Sequence, residues 1–364
     1  MKVLQIINSL ATGGAEKLIL ETVPLCNKRD VQMDVVVLNG ENQPFMQALK
    51  VTNCCSVFSL SNQSVYNPML IFKIMPYLKK YDIVHVHLFP SLYWVAFAKL
   101  ASFSKTKLVY TEHSTSNNRR KNLLFKLIDK WVYAYYSKII TIAPEVDTNI
   151  KKHLNFSENK FELIQNGINL ETINNETPIL KSEIHPNIKE DSKILIQVAS
   201  FRYPKDQKTV IKALKDLPEN ILLVLVGDGP LKNDCETFAK SIQVQQRVFF
   251  LGIRMDVIKL LKAADIIVLS SHHEGLSLAS IEGMASGKPF IASNAPGLGD
   301  IVKDAGILFP INDAETLAFE IKRLIEDNDH YNTTVTHCME RAQLYSINHT
   351  IAKEINLYKS LVAQ

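Results

Sequence analysis

Glu274 and Glu282 stand eight positions apart in the segment Ser271–Pro289, which also carries Gly275, Gly283 and Gly287. The apolar run Asp265–Leu269 before them reads as a strand, and Leu278–Ala285 reads as a helix. Glu274 therefore falls in a strand-to-helix loop, and Glu282 lies about two turns further on. Gly275 lets the backbone approach a ligand closely, and the amides of Gly275 and Leu276 lead into the free N–H groups of a helix start. Such amides attract anionic oxygen, while a carboxylate accepts hydrogen bonds from hydroxyls. A phosphorylated sugar carries both kinds of group. The plain alternative is a solvated pair of glutamates. The glycine and the apolar helix face weigh against it.

Three further clusters follow strands. Arg202 and Lys205 lie three apart in Val198–Gln207. Arg offers a planar fork and Lys a point charge, both suited to phosphate oxygens. Surface charge is the ordinary reading of such a pair, and its place at a strand end favours the functional one. The loop Ala11–Glu16 contains Gly13 and Gly14 ahead of a helix, where a diphosphate or a reacting sugar could rest on backbone N–H groups. It lacks the three-glycine spacing of a dinucleotide fingerprint, and a bare strand-helix turn would give the same residues. Val226-Gly227-Asp228-Gly229-Pro230 reads mostly as a tight turn. No metal is implied. The only Asp-x-Asp, Asp327-Asn328-Asp329, is away from any strand end, and His272-His273 and His337-Cys338 lack ligand spacing.

These loops need strands and helices to hold them. Strand-length apolar runs appear at Val3–Ile7, Met33–Leu38, Ser56–Leu60, Ile83–His87, Lys107–Thr111 and Lys138–Ile142. Helical stretches such as Ala15–Cys26, Pro68–Lys80 and Leu123–Tyr136 separate most of them. A second series runs Ile194–Ala199, Ile221–Val226, Val248–Leu251, Ile266–Leu269, Pro289–Ala292 and Gly306–Phe309. Alternation of this kind predicts an α/β chain with two doubly wound, Rossmann-like parallel sheets. The expected domains are 1–168 and 193–345, joined by a polar linker at 169–192. A closing helix, 346–364, is expected to cross back to the first domain. Ligands in such sheets bind beyond the carboxyl ends of the strands, so a cleft between the domains is the expected site.

Composition sets the bounds. The 364 residues suffice for two domains with full cores. No apolar stretch is long enough to span a bilayer, and the opening strand is too short for a signal peptide. Five cysteines make no disulfide framework, so a reducing cytoplasm is expected. Net charge is +4 overall, split as +6 over residues 1–180 and −2 over the rest. That is too weak for nucleic-acid binding and fits anionic ligands, or a membrane surface touched by the N-terminal half.

Together the clusters resemble the retaining GT-B glycosyltransferases of family 4, also called group 1. The resemblance covers nearly the whole chain and is strongest over residues 194–310. There the order runs Arg202/Lys205, Val226–Pro230, Phe250-Leu251-Gly252, Ala264-Asp265, Glu274 and Glu282, Gly287-Lys288-Pro289, and Gly306 with Leu308. In the first half the matching residues are Gly13–Glu16, Asp82–His87, Thr111-Glu112-His113 and Asn166-Gly167-Ile168. The resemblance implies a hexosyltransferase that takes a nucleotide-diphosphate sugar, with a UDP-sugar the expected donor, and needs no other cofactor. It implies Glu282 on the ribose hydroxyls, and Glu274 with the Gly275 and Leu276 amides on the transferred sugar. Arg202 and Lys205 would hold the diphosphate, with Gly14 approaching from the other domain, and Arg254 would lie near the base. His113 would stand by the reacting sugar and His87 on the acceptor side, although each could be a histidine satisfied by local hydrogen bonds. One departure is the short spacing of Arg202 and Lys205, which family members commonly place further apart. No nucleophile is assigned, Glu274 included.

Bacterial surface polysaccharide assembly is the setting that the family suggests, with a glycan or lipid-linked acceptor. Asn118-Arg119-Arg120-Lys121 opens the amphipathic stretch from Leu123 to Tyr135. That pattern fits a helix packed on its sheet, or one whose basic end meets anionic lipid at the inner face of the cytoplasmic membrane. Other classes stay open: a sugar-nucleotide epimerase of the same fold, a non-catalytic sugar-nucleotide binder and, more remotely, a nicotinamide oxidoreductase. The last would want the full glycine fingerprint and an acid at the end of the second strand, where Glu41 sits just beyond.

Overall fold

The computed structural model describes residues 1–114 and 122–363. Within them the chain separates into two compact units, one made of Met1–Gly167 with Ile347–Gln364, the other of Ile168–Ser346.

The first unit carries strands β1 (Lys2–Ile7), β2 (Gln32–Asn39), β3 (Val57–Ser61), β4 (Ile83–His87), β5 (Lys107–Glu112), β6 (Lys138–Thr141) and β7 (Phe161–Leu163). They form one sheet in the order β3-β2-β1-β4-β5-β6-β7, and every pairing is parallel. Runs such as Ile83–Val84 and Val35–Leu38 are fully buried, because helices cover both faces of the sheet. One face packs on Leu92, Val95, Val132 and Tyr136. The other packs on Leu18 to Cys26 of helix Gly14–Asn27 and on helix Ile347–Val362. The latter belongs to this unit through Ile351, Ile355, Tyr358 and Leu361. Thr350 donates to the Gln165 carbonyl at 2.8 Å.

The second unit carries β8 (Lys193–Val198), β9 (Ile221–Val226), β10 (Val248–Gly252), β11 (Ile266–Leu269), β12 (Phe290–Ser293) and β13 (Ile307–Phe309). Their order is β10-β9-β8-β11-β12-β13, again parallel. All twelve strands expected from the apolar runs are present. β7 is an addition. It is three residues long with only Phe161 buried, so it leaves no apolar run to read. The helix expected over Pro68–Lys80 contracts to Leu70–Ile74, with Pro76 denying the next turn an N–H donor.

The stretch 169–192 is not a bare connector. It holds helices Leu170–Asn175 and Lys181–Ile184 and falls inside the second unit. Ile173, Ile184 and Ile188 anchor it by burial, in a stretch that is mostly polar.

Each sheet reverses its order once, between β1 and β4 and between β8 and β11. In such sheets the crevice for a ligand opens beyond the carboxyl ends of the strands at that reversal. Gly13 and His87 follow or end β1 and β4, and Arg202 and Glu274 follow β8 and β11. Gly13, His87, Arg202 and Glu274 therefore fall at the two reversal points.

Candidate active site

In the second unit the loop after β8 and the loop after β11 are bound to each other. His272 N–H donates to the Pro204 carbonyl at 2.9 Å, and Ser271 Oγ donates to the same carbonyl at 3.2 Å. Asp206 N–H donates to the Ser270 carbonyl at 3.0 Å, and Ser270 Oγ donates to the Asp206 carboxylate at 3.0 Å. Across this seam Lys205 Nζ donates to Glu274 Oε1. The side chains of that ion pair are only 16% and 11% exposed. An ion pair so placed has lost most of its water, so its geometry is held more firmly than that of a surface pair. The predicted cation and the predicted carboxylate thus meet. Arg202, three residues earlier, is exposed.

The loop of Arg202 is braced from β9. Phe201 N–H donates to the Asp228 carbonyl at 3.0 Å, and Leu231 N–H donates to the Phe201 carbonyl at 2.9 Å. Gly227 and Gly229 have φ of +137° and +154°, and a Cβ on either would strike the Ala199 or Phe201 carbonyl at 2.2 or 2.5 Å. The Gly-Asp-Gly turn is therefore a support for the cation loop as well as a tight turn.

Glu282 lies on helix Leu278–Ala285, which Ser277 caps by accepting from the Ser280 N–H. Glu282 is buried, 4% exposed. The neighbouring Gly283 lets the helix sit close on the sheet, since a Cβ there would meet the Phe290 ring at 2.6 Å. Gly275 and buried Leu276 fill the turn between Glu274 and the helix. Glu274 N–H donates to the Pro296 carbonyl at 3.0 Å.

Arg254 follows the edge strand β10, and the structure does not join it to Lys205 or Glu274. Its guanidinium holds Asp256 in a fork, Nε to Oδ1 at 2.8 Å and Nη2 to Oδ2 at 2.5 Å. Sequence reasoning missed Asp256, whose partner two residues away was the available signal. It also missed Tyr203. This residue is 70% exposed beside Arg202 and lies near-parallel to His272, with ring centroids 5.8 Å apart. Among the described residues, no group of three or more His, Cys, Asp or Glu side chains could hold a metal ion.

The first unit has a cluster of its own. Gly13 precedes helix Gly14–Asn27 with an extended backbone, and a Cβ on Gly14 would meet nothing within 4 Å. Space, rather than a strained turn, is what the second glycine leaves there. His85 and His87 are buried in β4, and half-buried His113 follows β5. The structure brings His87 and His113 together, Nδ1 to Nε2 at 3.0 Å. His87 Nε2 lies 2.7 Å from Gln5 Oε1. His85 bonds Tyr358 and Thr111, each at 2.6 Å. Gln5, Thr111 and Tyr358 were not anticipated. A lone glutamine inside the apolar strand Lys2–Ile7 was the visible sign of the first.

Burial holds all three rings neutral. It lowers His85 to about 3 and His113 to about 4, and it lowers His87 well below its usual 6.5. Burial also raises Glu354, on helix Ile347–Val362, to about 8. The signs oppose each other. Below pH 6.5 the unfolded chain takes up protons that the folded histidines refuse, so stability falls with acidification. Above pH 4.5 the unfolded Glu354 releases a proton that the folded one keeps, so stability falls as pH rises towards 8. With three histidines against one glutamate, thermal melting across pH 4–9 should peak near pH 6–7. Glu354→Gln should flatten the alkaline side and steepen the rise between pH 4.5 and 6.5. An alkaline decline unchanged in that variant would contradict this account.

Two family profiles match the chain: Glycosyltransferase Family 4 over residues 12–172 and Glycosyl transferases group 1 over residues 181–339. EpsD of Bacillus subtilis (strain 168), provisionally named as a glycosyltransferase, is 31% identical over 285 residues, 74% of this chain and 73% of EpsD. The UDP-Gal:alpha-D-GlcNAc-diphosphoundecaprenol alpha-1,3-galactosyltransferase of Escherichia coli is 29% identical over 320 residues, 81% of each chain. The crystal structure of Anabaena Alr3699/HepE in complex with UDP and glucose has the same fold, with a TM-score of 0.85 at 21% identity over 99% of both chains. The chain belongs to the group 1 glycosyl transferases, glycosyltransferase family 4. It is a transferase enzyme, and its paired parallel sheets are those of the GT-B fold.

Proposed function

We propose that this glycosyltransferase moves a sugar from a UDP-sugar to a lipid-linked or glycan acceptor in bacterial surface polysaccharide assembly, with retention at the anomeric carbon. The observation that carries the reading is the Lys205–Glu274 pair at the β8/β11 reversal, with Arg202 on one side and the helix of Glu282 on the other. The names of relatives support the chemistry. The E. coli relative is named for UDP-Gal and a diphosphoundecaprenol acceptor, and HepE was crystallised with UDP and glucose. The α-1,3 linkage in the E. coli name is the product a retaining transfer gives from an α-linked donor.

Breaking a sugar–phosphate bond builds negative charge on the diphosphate and positive charge on the sugar. Arg202 and Lys205 address the first charge as cations, with Lys205 already held in place by Glu274. The Gly275 and Leu276 amides add donors. Glu282 takes the ribose hydroxyls and Glu274 those of the transferred sugar. With Lys205 holding one of its oxygens, Glu274 orients rather than attacks. Arg254, fixed by Asp256, is assigned to the nucleotide base. In the first unit the Gly13–Gly14 loop and the His87–His113 pair are assigned substrate contacts of their own. No cofactor beyond the nucleotide sugar is required by these roles.

No helix among the described residues is long and apolar enough to cross a membrane. A peripheral lipid contact is supported on helix Leu123–Ala134. Val132 and Tyr133 pack into the core, while Leu124 (63%), Leu127 (69%) and Trp131 (43%) stay exposed near Lys126 and Lys130. Phe97, Leu127, Ile128 and Trp131 line an open groove of about 380 Å³. The basic start Asn118–Lys121 lies outside the described residues. The five cysteines are free. Anionic vesicles at low salt should co-sediment the protein, and Leu127→Glu should release it.

The donor reading is tested by thermal shift over nucleoside diphosphates and their sugars. UDP and one UDP-sugar should raise the melting point, by about 2.7 kcal/mol of stability at a hundredfold excess over Kd. Glu282→Ala should remove most of that shift. No response to any nucleotide at millimolar concentration would overturn the reading.

A further inference from the structure

We propose that Gln5 is a positioning residue: its side-chain amide fixes His87 and His113 as Nε2–H tautomers and leaves Nδ1 of His113 as an acceptor for a substrate hydroxyl. The inference rests on the reading of His113 as a substrate contact and assigns that contact a direction.

Gln5 is buried in β1, 2% exposed. Its Nε2 lies 3.5 Å from the Met33 sulfur, an atom that only accepts. Its Oε1 lies 2.7 Å from His87 Nε2. The reverse orientation would set a carbonyl oxygen against the sulfur, lone pair against lone pair. Since Oε1 can only accept, the proton of neutral His87 resides on Nε2. Nδ1 of His87 then carries the lone pair. It faces His113 Nε2 at 3.0 Å, so that nitrogen must donate. Nδ1 of His113 is left without a proton. Among the described residues the only hydrogen bond of the His113 ring is the one through Nε2.

His85 offers the contrast. Its partners, the Tyr358 and Thr111 hydroxyls, each donate or accept, so they impose no tautomer. Only the arm that ends at His113 is one-way. The titratable groups packed around this cluster are His85, Tyr358, Glu354 and Cys26. Burial keeps the His87–His113 arm neutral, which the relay requires. A neutral ring with Nδ1 bare accepts a hydroxyl proton and offers nothing to a carbonyl or carboxylate at that nitrogen. The position therefore selects a hydroxyl.

The test uses the full chain with ¹⁵N-labelled histidine, with ring signals of His87 and His113 assigned by His→Asn variants. Long-range ¹H–¹⁵N correlations of the wild type should show both rings protonated at Nε2. Gln5→Glu keeps the acceptor and adds charge. It should keep both tautomers and move the acid limb of the kcat/KM profile to higher pH. Gln5→Met removes the acceptor. It should mix the His113 tautomers and lower kcat/KM at least tenfold, with the UDP thermal shift unchanged. A wild-type His113 protonated at Nδ1 overturns the proposal whether or not Gln5→Met folds. So do mixed tautomers in Gln5→Met with wild-type kcat/KM. If no nucleotide sugar supports transfer, the proposed function fails separately, and the tautomers still decide the role of Gln5.

Discussion

Replacing Lys205 with alanine should lower kcat by about 10²–10³, the range seen when one preorganised donor to a developing anion is removed. Lys205 has two partners to lose. One is the diphosphate in the proposed reaction and the other is Glu274, whose side chain is 11% exposed. Stripping the cation leaves that carboxylate largely buried without its counter-charge, which costs up to about 3–5 kcal/mol. Lys205→Ala should therefore melt lower as well as turn over more slowly. The double variant Lys205→Ala/Glu274→Gln separates the two effects, because a neutral amide needs no cation. Its melting point should recover while kcat stays low. Lys205→Arg, which keeps the charge but changes its shape, should fall between. Wild-type kcat in Lys205→Ala, or full recovery of kcat in the double variant, would remove Lys205 from the reaction.

The second large effect is expected at a residue with no side chain. Gly297 has φ +74°, and a Cβ there would lie 2.1 Å from the Glu274 carbonyl oxygen and 2.9 Å from its carbon. Both atoms are backbone, so neither can rotate away. Gly297→Val carries the φ > 0 strain, about 1–3 kcal/mol, and also pushes the Glu274 loop off its seat. Displacing a substrate-positioning group by about 1 Å can cost on the order of 10² in rate. Gly287→Ala is the control. It shares a positive φ, +79°, but its Cβ would meet nothing within 4 Å. Both variants should melt lower, and only Gly297→Val should lose kcat. Equal kcat in the two would mean that Glu274 is not positioned from Gly297.

How much of this was legible in the sequence follows the range of the interactions. The strands were legible because parallel strands covered on both faces must be apolar along their length. β7 was not, having one buried residue. Arg202, Lys205 and Glu274 were legible as residues at strand ends, and Glu282 as one on the helix that follows. The bond between Lys205 and Glu274 joins positions 69 apart, and nothing in either segment announces it. The same holds for Gly297 under Glu274. The stretch 169–192 was misjudged as a linker because its few apolar residues are scattered among polar ones, yet Ile173, Ile184 and Ile188 each fill a core position. Gln5 stood in plain view as a polar residue in the middle of an apolar strand. What it does depends on Met33 and His87, which the fold alone brings to it.

Helix Ile347–Val362 has one consequence for the order of assembly. The second unit is an uninterrupted run of chain, whereas the first needs residues 347–364 to be complete. During synthesis, domains form as units from the N-terminal side. Here the earlier-made unit waits for the later one. Until the closing helix arrives, the face of Val3, Ile7, Val35 and Ile83 lacks part of its cover, and His85 lacks the hydroxyl of Tyr358, 273 positions away. The unit that is begun first is therefore finished last.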